Sequence, residues 1–480
     1  TIGGTGDMTI SGVITSATYG LAIRNGGNYS LSNTSNTLST VAASGISSLS
    51  IVNNQTLTVG TVNTIAGISV AGSSSGGISL TASNIAFGGN LTVSTSTTAG
   101  ISLLTSGNFT NTVYTTIGTQ GGAVLIASNT SNTSGNIYFS SGLTITSTGG
   151  AITLAGGDTL GSGYAKGNNS TTPEGIRIDS GLTLNSSGGT SGGGNIILRG
   201  KSAAVAVGGS QGGWGVGFYN GAVSINSGTG TVYIEGYSQT TGSTYSSGIY
   251  SYSATTITSA NTTNNAIKLV GIATGVVAND SWGMEFDSTL GLYATGAASG
   301  GSTGGGISVL TSQKNTSSNY DIVYRGATEI LANGGDIKLL GGQTLSGSVG
   351  ISGGKWHNSS TFVIGSKVSS VVASSSSNLT INYDTYYFSS NVEPVNTTGT
   401  VTWNGSGAST TGFGQGVDTS WFSFTGITGL SIGSLANTSN ITVGAALTVA
   451  GNVSLLAMGG TTANVSINGG ALTVTGANST

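Results

Sequence analysis

The sequence predicts an all-β chain wound as a parallel β-helix, a β-solenoid of stacked short-strand coils. Three observations predict it. Apolar residues alternate in short triplets, the triplets recur in a fixed order, and Gly, Ser and Asn stand between them. Alternation with period two marks a strand with one buried face. Recurrence over tens of residues marks stacked units.

The triplets come in threes. Ile137-x-Phe139, Leu143-x-Ile145 and, after Gly149-Gly150, Ile152-x-Leu154 form one unit. The next reads Ile176-x-Ile178, Leu182-x-Leu184, Gly193-Gly194 and Ile196-x-Leu198. Further units begin at Val216, Ile249, Met284 and Ile322, and an earlier one reads Ile85-x-Phe87, Leu91-x-Val93, Ile101-x-Leu103. Start-to-start spacings from Ile137 are 39, 40, 33, 35 and 38 residues. One such unit has too little apolar surface to fold alone, so the units must share a continuous core. Parallel stacking pairs each strand with the coils above and below and removes lateral edges. The spacing leaves open whether a unit is one coil with a long excursion or two shorter coils. Three regions follow: solenoid coils over 1–135, the 33–40-residue units over 136–355, and coils with aromatic-rich insertions over 356–480.

The middle residue of each triplet points outward. On the second strand these are Thr92, Thr144, Thr183, Ser224, Thr256, Gly291 and Glu329, a column suited to a solvated sheet face. An ice-binding reading of that column breaks at Gly291 and Glu329.

Composition explains itself on this architecture. Of 480 residues 85 are Gly, 2 are Pro and none is Cys. Glycine supplies positive φ at corners, and proline would delete ladder donors. Only 5% of the residues are charged, against about 25% in ordinary globular domains. From Asn25 to Gly157 there is no Asp, Glu, Lys or Arg, and none follows Asp418. The two terminal regions are therefore nearly neutral and suited to stacking without like-charge repulsion. A net charge of −3 offers no attraction to nucleic acid. No apolar run is long enough to span a bilayer. Without Cys there is neither a disulfide framework nor a thiolate zinc site. The chain opens at Thr1 without a signal-peptide pattern and reads as an excised piece of something longer.

Candidate chemistry is sparse. Glu174, Arg177 and Asp179 flank one first strand, and Asp280, Glu285 and Asp287 flank another. Paired carboxylates about 5–9 Å apart serve glycoside hydrolysis, but these acids alternate with apolar residues and change sign from unit to unit. Structural or solvating roles are the expectation. Gly156-Gly157-Asp158 and Gly334-Gly335-Asp336 hint at calcium-binding repeats without the dense Asp array those need. His357, the single histidine, is expected in a polar loop without a triad partner, and Gly429-Leu430-Ser431-Ile432-Gly433 lacks the helix of a nucleophile elbow. Trp214 and Trp282 share a W-G-h-x-F pattern and are expected to pack over the corner rather than stack on a sugar. Asn-x-Ser/Thr sequons stand at Asn28, Asn54, Asn90, Asn108, Asn169, Asn378, Asn396 and Asn440, as a Ser- and Thr-rich composition produces.

Two stretches carry a family resemblance. Gly45-Ile46-Ser47-Ser48-Leu49-Ser50-Ile51 is followed by Leu57-Thr58-Val59-Gly60-Thr61-Val62 and Gly67-Ile68-Ser69-Val70. Near the other end stand Phe424-Thr425-Gly426-Ile427-Thr428-Gly429-Leu430-Ser431-Ile432 and Asn440-Ile441-Thr442-Val443. These resemble the repetitive shafts of bacterial filamentous-haemagglutinin-like exoproteins, large surface adhesins exported by two-partner secretion. The family's Asn-Pro-Asn-Gly-type secretion motif is not in this sequence. The resemblance implies a secreted, extracellular or cell-surface rod with a structural and adhesive role and no catalytic centre or cofactor. Val465-x-Ile467 and Leu472-x-Val474 at one end and Met8-Thr9-Ile10 at the other suggest modules stacking end to end, covalently or by assembly. Expected partners are neighbouring copies and surface glycans, with no nucleic acid and no membrane insertion. The alternatives are a filament or sheath subunit without adhesive role, and a carbohydrate-active β-helix enzyme.

Overall fold

The computed structural model describes residues 1–16, 18–71, 76–94, 98–131, 133–157, 162–188, 192–207, 212–241, 245–275, 281–297, 304–314, 320–343, 345, 354–365, 376–388, 392–406 and 412–476. Among them there is no α-helix, only one short 3₁₀ turn at Thr419–Trp421. No helix is long and apolar enough to cross a membrane. The strands form parallel ladders, and the chain is a parallel β-solenoid. It divides into two units, one of Thr1–Val207 with Gly213–Gly236 and one from Tyr237 onward.

Three ladders build the first unit. First strands stack as Asn84–Phe87, Phe109–Asn111, Ile137–Phe139, Ile176–Asp179 and Val216–Tyr219. Second strands run from Ile68–Val70 through Leu91–Val93, Thr115–Gly118, Leu143–Thr146 and Leu182–Asn185 to Val223–Asn226. Third strands begin at Met8–Ile10 and climb through Asn28–Leu31, Ser48–Val52, Ile78–Ala82, Ile101–Thr105, Val124–Ser128 and Ile152–Gly156 to Ile196–Lys201. A two-residue antiparallel hairpin, Thr61–Val62 with Ile65–Ala66, interrupts one early rung.

Register settles the coil length. Ile137 pairs with Ile176, Leu143 with Leu182 and Ile152 with Ile196, so each 33–40-residue unit is one rung carrying a long excursion. Rungs elsewhere are short: Tyr29 pairs with Leu49, 20 residues on. Phe109 pairs with Ile137, so the same ladder crosses residue 135 and only the excursions lengthen there.

Inward residues are almost wholly buried, and Phe87 stacks on Phe109 and Phe139 at 6.2 and 5.6 Å. Corners are tied by small polar groups. The buried hydroxyls of Ser186 and Ser227 donate to Gly194 and Gly230 carbonyls at 2.6 and 2.7 Å. Asparagine bridges rungs. Oδ1 of Asn84, Asn90, Asn108, Asn195, Asn378 and Asn440 each accepts a backbone N–H from the following coil. At Asn90, Asn108, Asn378 and Asn440 the next residue points inward and the one after it is an outward Thr, so the coil itself writes a sequon there. Glycine is obligatory at Gly67, where φ is +70° and a Cβ would lie 2.2 Å from the Asn90 carbonyl oxygen.

The second unit repeats the three ladders with a different core. Its first strands are Ser246–Ser251, Ser281–Phe286, Ile322–Tyr324, Lys355–Asn358 and Thr385–Phe388. Its second strands run from Thr255–Ser259 to Phe422–Thr425, and its third strands from Ile267–Ala273 to Val453–Ala457. Inside, Tyr324, Trp356, Phe362, Tyr383, Tyr386, Trp403 and Phe422 replace the aliphatic stack, and Trp403 Nε1 donates to Tyr386 OH at 2.6 Å.

The outward threonine column is partly corrected. Thr116, Thr144, Thr183 and Ser224 stand in register, as do Thr256, Gly291 and Glu329. Thr92 instead pairs with Gly118, two residues out of line. The rung between them, Phe109–Asn111 and Thr115–Gly118, escaped the sequence reading because Asn111 and Thr115 take inward positions usually held by apolar residues.

Candidate functional site

Charge collects on the outward side of the first strands. In the first unit the Arg177 guanidinium reaches Glu174 Oε1 at 3.0 Å and Asp179 Oδ1 at 3.1 Å. Tyr138, one rung earlier, donates to Asp179 Oδ2 at 3.2 Å. The guanidinium lies over the rings of Tyr138, Trp214 and Tyr219 at 5.2, 5.7 and 5.8 Å. Alternation puts Arg177 and Asp179 on one face of one strand, and Gly217 makes room for Trp214, whose ring a Cβ there would meet at 2.5 Å.

The second unit reaches the same constellation by a different route. Glu285 and Asp287 stand one rung before Arg325, whose Nη1 bridges Glu285 Oε1 and Asp287 Oδ1, the latter at 2.6 Å. Tyr250 donates to Asp287 Oδ2 at 3.1 Å, and Arg325 lies 5.0 Å from the Trp282 ring. Both inner acids are buried, Glu174 at 2% exposure and Glu285 at 1%. Burial pushes both carboxyls upward against the pull of their arginines, Glu285 well above the ordinary range. In each cluster one arginine occupies the space between two carboxylates.

A third ion pair lies on the third strands of the first unit. Arg199 holds Glu235 at 2.8 Å, and Tyr164 and Tyr233 donate to its two oxygens at 2.6 and 2.9 Å. Sequence reasoning missed it because Arg199 and Glu235 are 36 residues apart; only the one-rung excursion brings them together.

His357 extends the face in the second unit from within the strand Lys355–Asn358 and not from a loop, because its alternation places Trp356 in the core. It aligns with Val323 on one side and Tyr387 on the other, and its ring lies 4.8 Å from that of Tyr320. Its Nδ1 is shielded from solvent without a hydrogen-bond partner among the described residues. Burial, helped by the Arg325 charge, lowers its pKa, so the ring is neutral at pH 7.

The remaining candidates disperse. Trp214 is buried just before the strand Val216–Tyr219, as expected of packing over a corner, whereas Trp282 is buried within the strand Ser281–Phe286, paired with Ser247. Asp280 and Asp158 lie outside the described residues. Asp336 sits 3.7 Å from Lys338 and accepts from Asn378. Ser431 lies in the middle of the strand Gly429–Ser434, paired with Thr402 and Ser454, so that Gly-x-Ser-x-Gly stretch is ladder and not elbow. No group of three or more His, Asp or Glu among the described residues is placed to hold a metal ion.

The last rungs differ from the interior. Val465 and Ile467 are 43% and 54% exposed although they occupy core positions, and Met8 and Ile10 are only half-buried. The chain matches no family model, no curated protein and no solved structure.

Proposed function

We propose that the chain is a structural and adhesive segment of a bacterial surface exoprotein of the filamentous-haemagglutinin-like kind, secreted and displayed outside the cell. The observation that carries this reading is the set of parallel ladders in each unit, with hydroxyl-bearing outward faces. A scaffold of that kind gains stability from every added rung and stays wet with few charges. The clusters around Arg177 and Arg325 pin neighbouring rungs at the surface. Closed by their own arginines, they favour a structural role over the glycosidase alternative.

The exposed core positions Val465 and Ile467 fit coverage by another rung, so neighbouring copies are the partners this reading names. A contact between uncharged rungs depends weakly on ionic strength. Sedimentation of the purified chain tests it: self-association that persists as salt is raised, and that Ile467→Lys abolishes, is the expected result. A chain that stays monomeric at high concentration would remove the end-to-end part of the reading. Display on a non-adherent bacterium tests the adhesive part, and no gain in retention on host cells or matrix would remove it.

A further inference from the structure

The second unit holds a patch that keeps hydrogen-bonding and aromatic surface to spare after its rungs are pinned. Arg325 is 40% exposed, yet it is held in place. Its Nη1 is tied to Glu285 and Asp287, and its plane lies over Trp282. Its Nε and Nη2 donate to no protein group among the described residues. One edge of the guanidinium fork is thus aimed and vacant, with its side-chain entropy already spent. Along the outward column, Val323, His357 and Tyr387 follow on successive rungs about 4.8 Å apart. Tyr320 packs on both His357 and Tyr387, tilted against the first at 4.8 Å and edge-on to the second at 5.2 Å between ring centroids. Tyr387 is 50% exposed, so its ring faces solvent rather than the core.

We propose that this patch, formed by Arg325, Asp287, His357, Tyr320 and Tyr387, binds a neutral saccharide with vicinal hydroxyls. The free fork edge donates two parallel hydrogen bonds to adjacent hydroxyl oxygens. Asp287 accepts a hydroxyl proton in return. The exposed Tyr387 ring, braced by Tyr320, covers the apolar C–H face of the sugar. Charge decides against an acidic sugar. Arg325 is offset by Asp287, and His357 is neutral at pH 7. The guanidinium charge is thus answered within its own cluster and exerts little pull on a carboxylate or sulfate. The column runs across the rungs, so a polysaccharide chain would lie along the stacking direction and meet a new rung about every 4.8 Å.

The inference deepens the adhesive reading and rests on it. The test is calorimetric titration of the full chain with cellohexaose, maltohexaose and mannohexaose, with hexagalacturonate and a heparin hexasaccharide as acidic comparators. At least one neutral hexaose is expected to bind. Tyr387→Ala should weaken that binding by more than tenfold. Arg325→Lys, which keeps a cation for Glu285 and removes the fork, should do the same. Tyr19→Ala, an exposed tyrosine of the first unit, should leave it unchanged. Thermal melts of the three variants confirm that each is folded. Tighter binding of the acidic sugars, indifference to Tyr387→Ala, or no binding of any neutral hexaose would each overturn the proposal. None of these outcomes touches the self-association test of the solenoid reading, so the two can fail separately.

Discussion

Asp321 makes stability depend on pH in the opposite sense to most surface acids. Its carboxylate is wholly buried at a corner of the second unit and accepts backbone N–H groups from Gly342 and Lys355, each at 3.0 Å. Burial dominates those hydrogen bonds and pushes its pKa up to about 7, from an ordinary 3.8. The folded chain therefore holds a proton that the unfolded chain has released. A raised carboxyl contributes stability that is complete below the unfolded pKa and is lost as pH rises through the folded one. At about 1.4 kcal/mol per pH unit, the window spans about 4 kcal/mol, of which about 3 falls between pH 5 and pH 7.5. Glu174, Glu285, Asp384 and Glu393 are all shifted upward by burial and act in the same direction. Chemical denaturation followed by tryptophan fluorescence is the assay, because four of the five Trp lie from Tyr237 onward. The chain should resist denaturant better at pH 5 than at pH 7.5. Asp321→Asn should reduce the difference between the two pH values by about 3 kcal/mol, whatever it does to absolute stability. Stability that rises with pH over that range, or a variant with unaltered pH dependence, would refute the reasoning.

Two further predictions separate the faces of the coil. Phe109→Ala removes the partner of Phe87 and should cost about 3–5 kcal/mol, whereas Thr110→Ala on the outward face should stay within about 0.5 kcal/mol; hydrogen exchange across Phe87, Phe109 and Phe139 reads both. Asn108→Ala deletes the acceptor for Asn136 N and Asn168 Nδ2 and should cost about 1–2 kcal/mol; Asn54→Ala, at an exposed sequon whose side chain has no hydrogen-bond partner among the described residues, should be silent in the same denaturation assay.

Much of the fold was legible because a solenoid is nearly one-dimensional. Period-two triplets state which residues face in, Gly and Asn state where the chain turns, and the recurrence states that strands stack in parallel. These are local properties, and the sequence by itself determined them. What it left open was register, because excursions of any length can separate two strands that pair. The 39-residue spacing of Ile137 and Ile176 is one rung only because the ladder pairs them directly. The rung of Asn111 and Thr115 was hidden because buried polar groups satisfied by the corner do not look apolar.

The outward chemistry depended on register even more. Sequence placed Glu285 beside Asp287 but could not bring Arg325 to them, nor Tyr387 to His357, across 38 and 30 residues. Arg177 and Arg325 reach the same Trp–Arg–Asp–Tyr arrangement from different strand positions, so no shared motif announces it. Near-neutral terminal tracts were evident in the composition, but that Val465 and Ile467 stay exposed at core positions was not. Composition and alternation are set along the chain by solvation and backbone geometry. Which side chains meet is set across it, by the lengths of loops whose only constraint is to return the next strand to its place on the ladder.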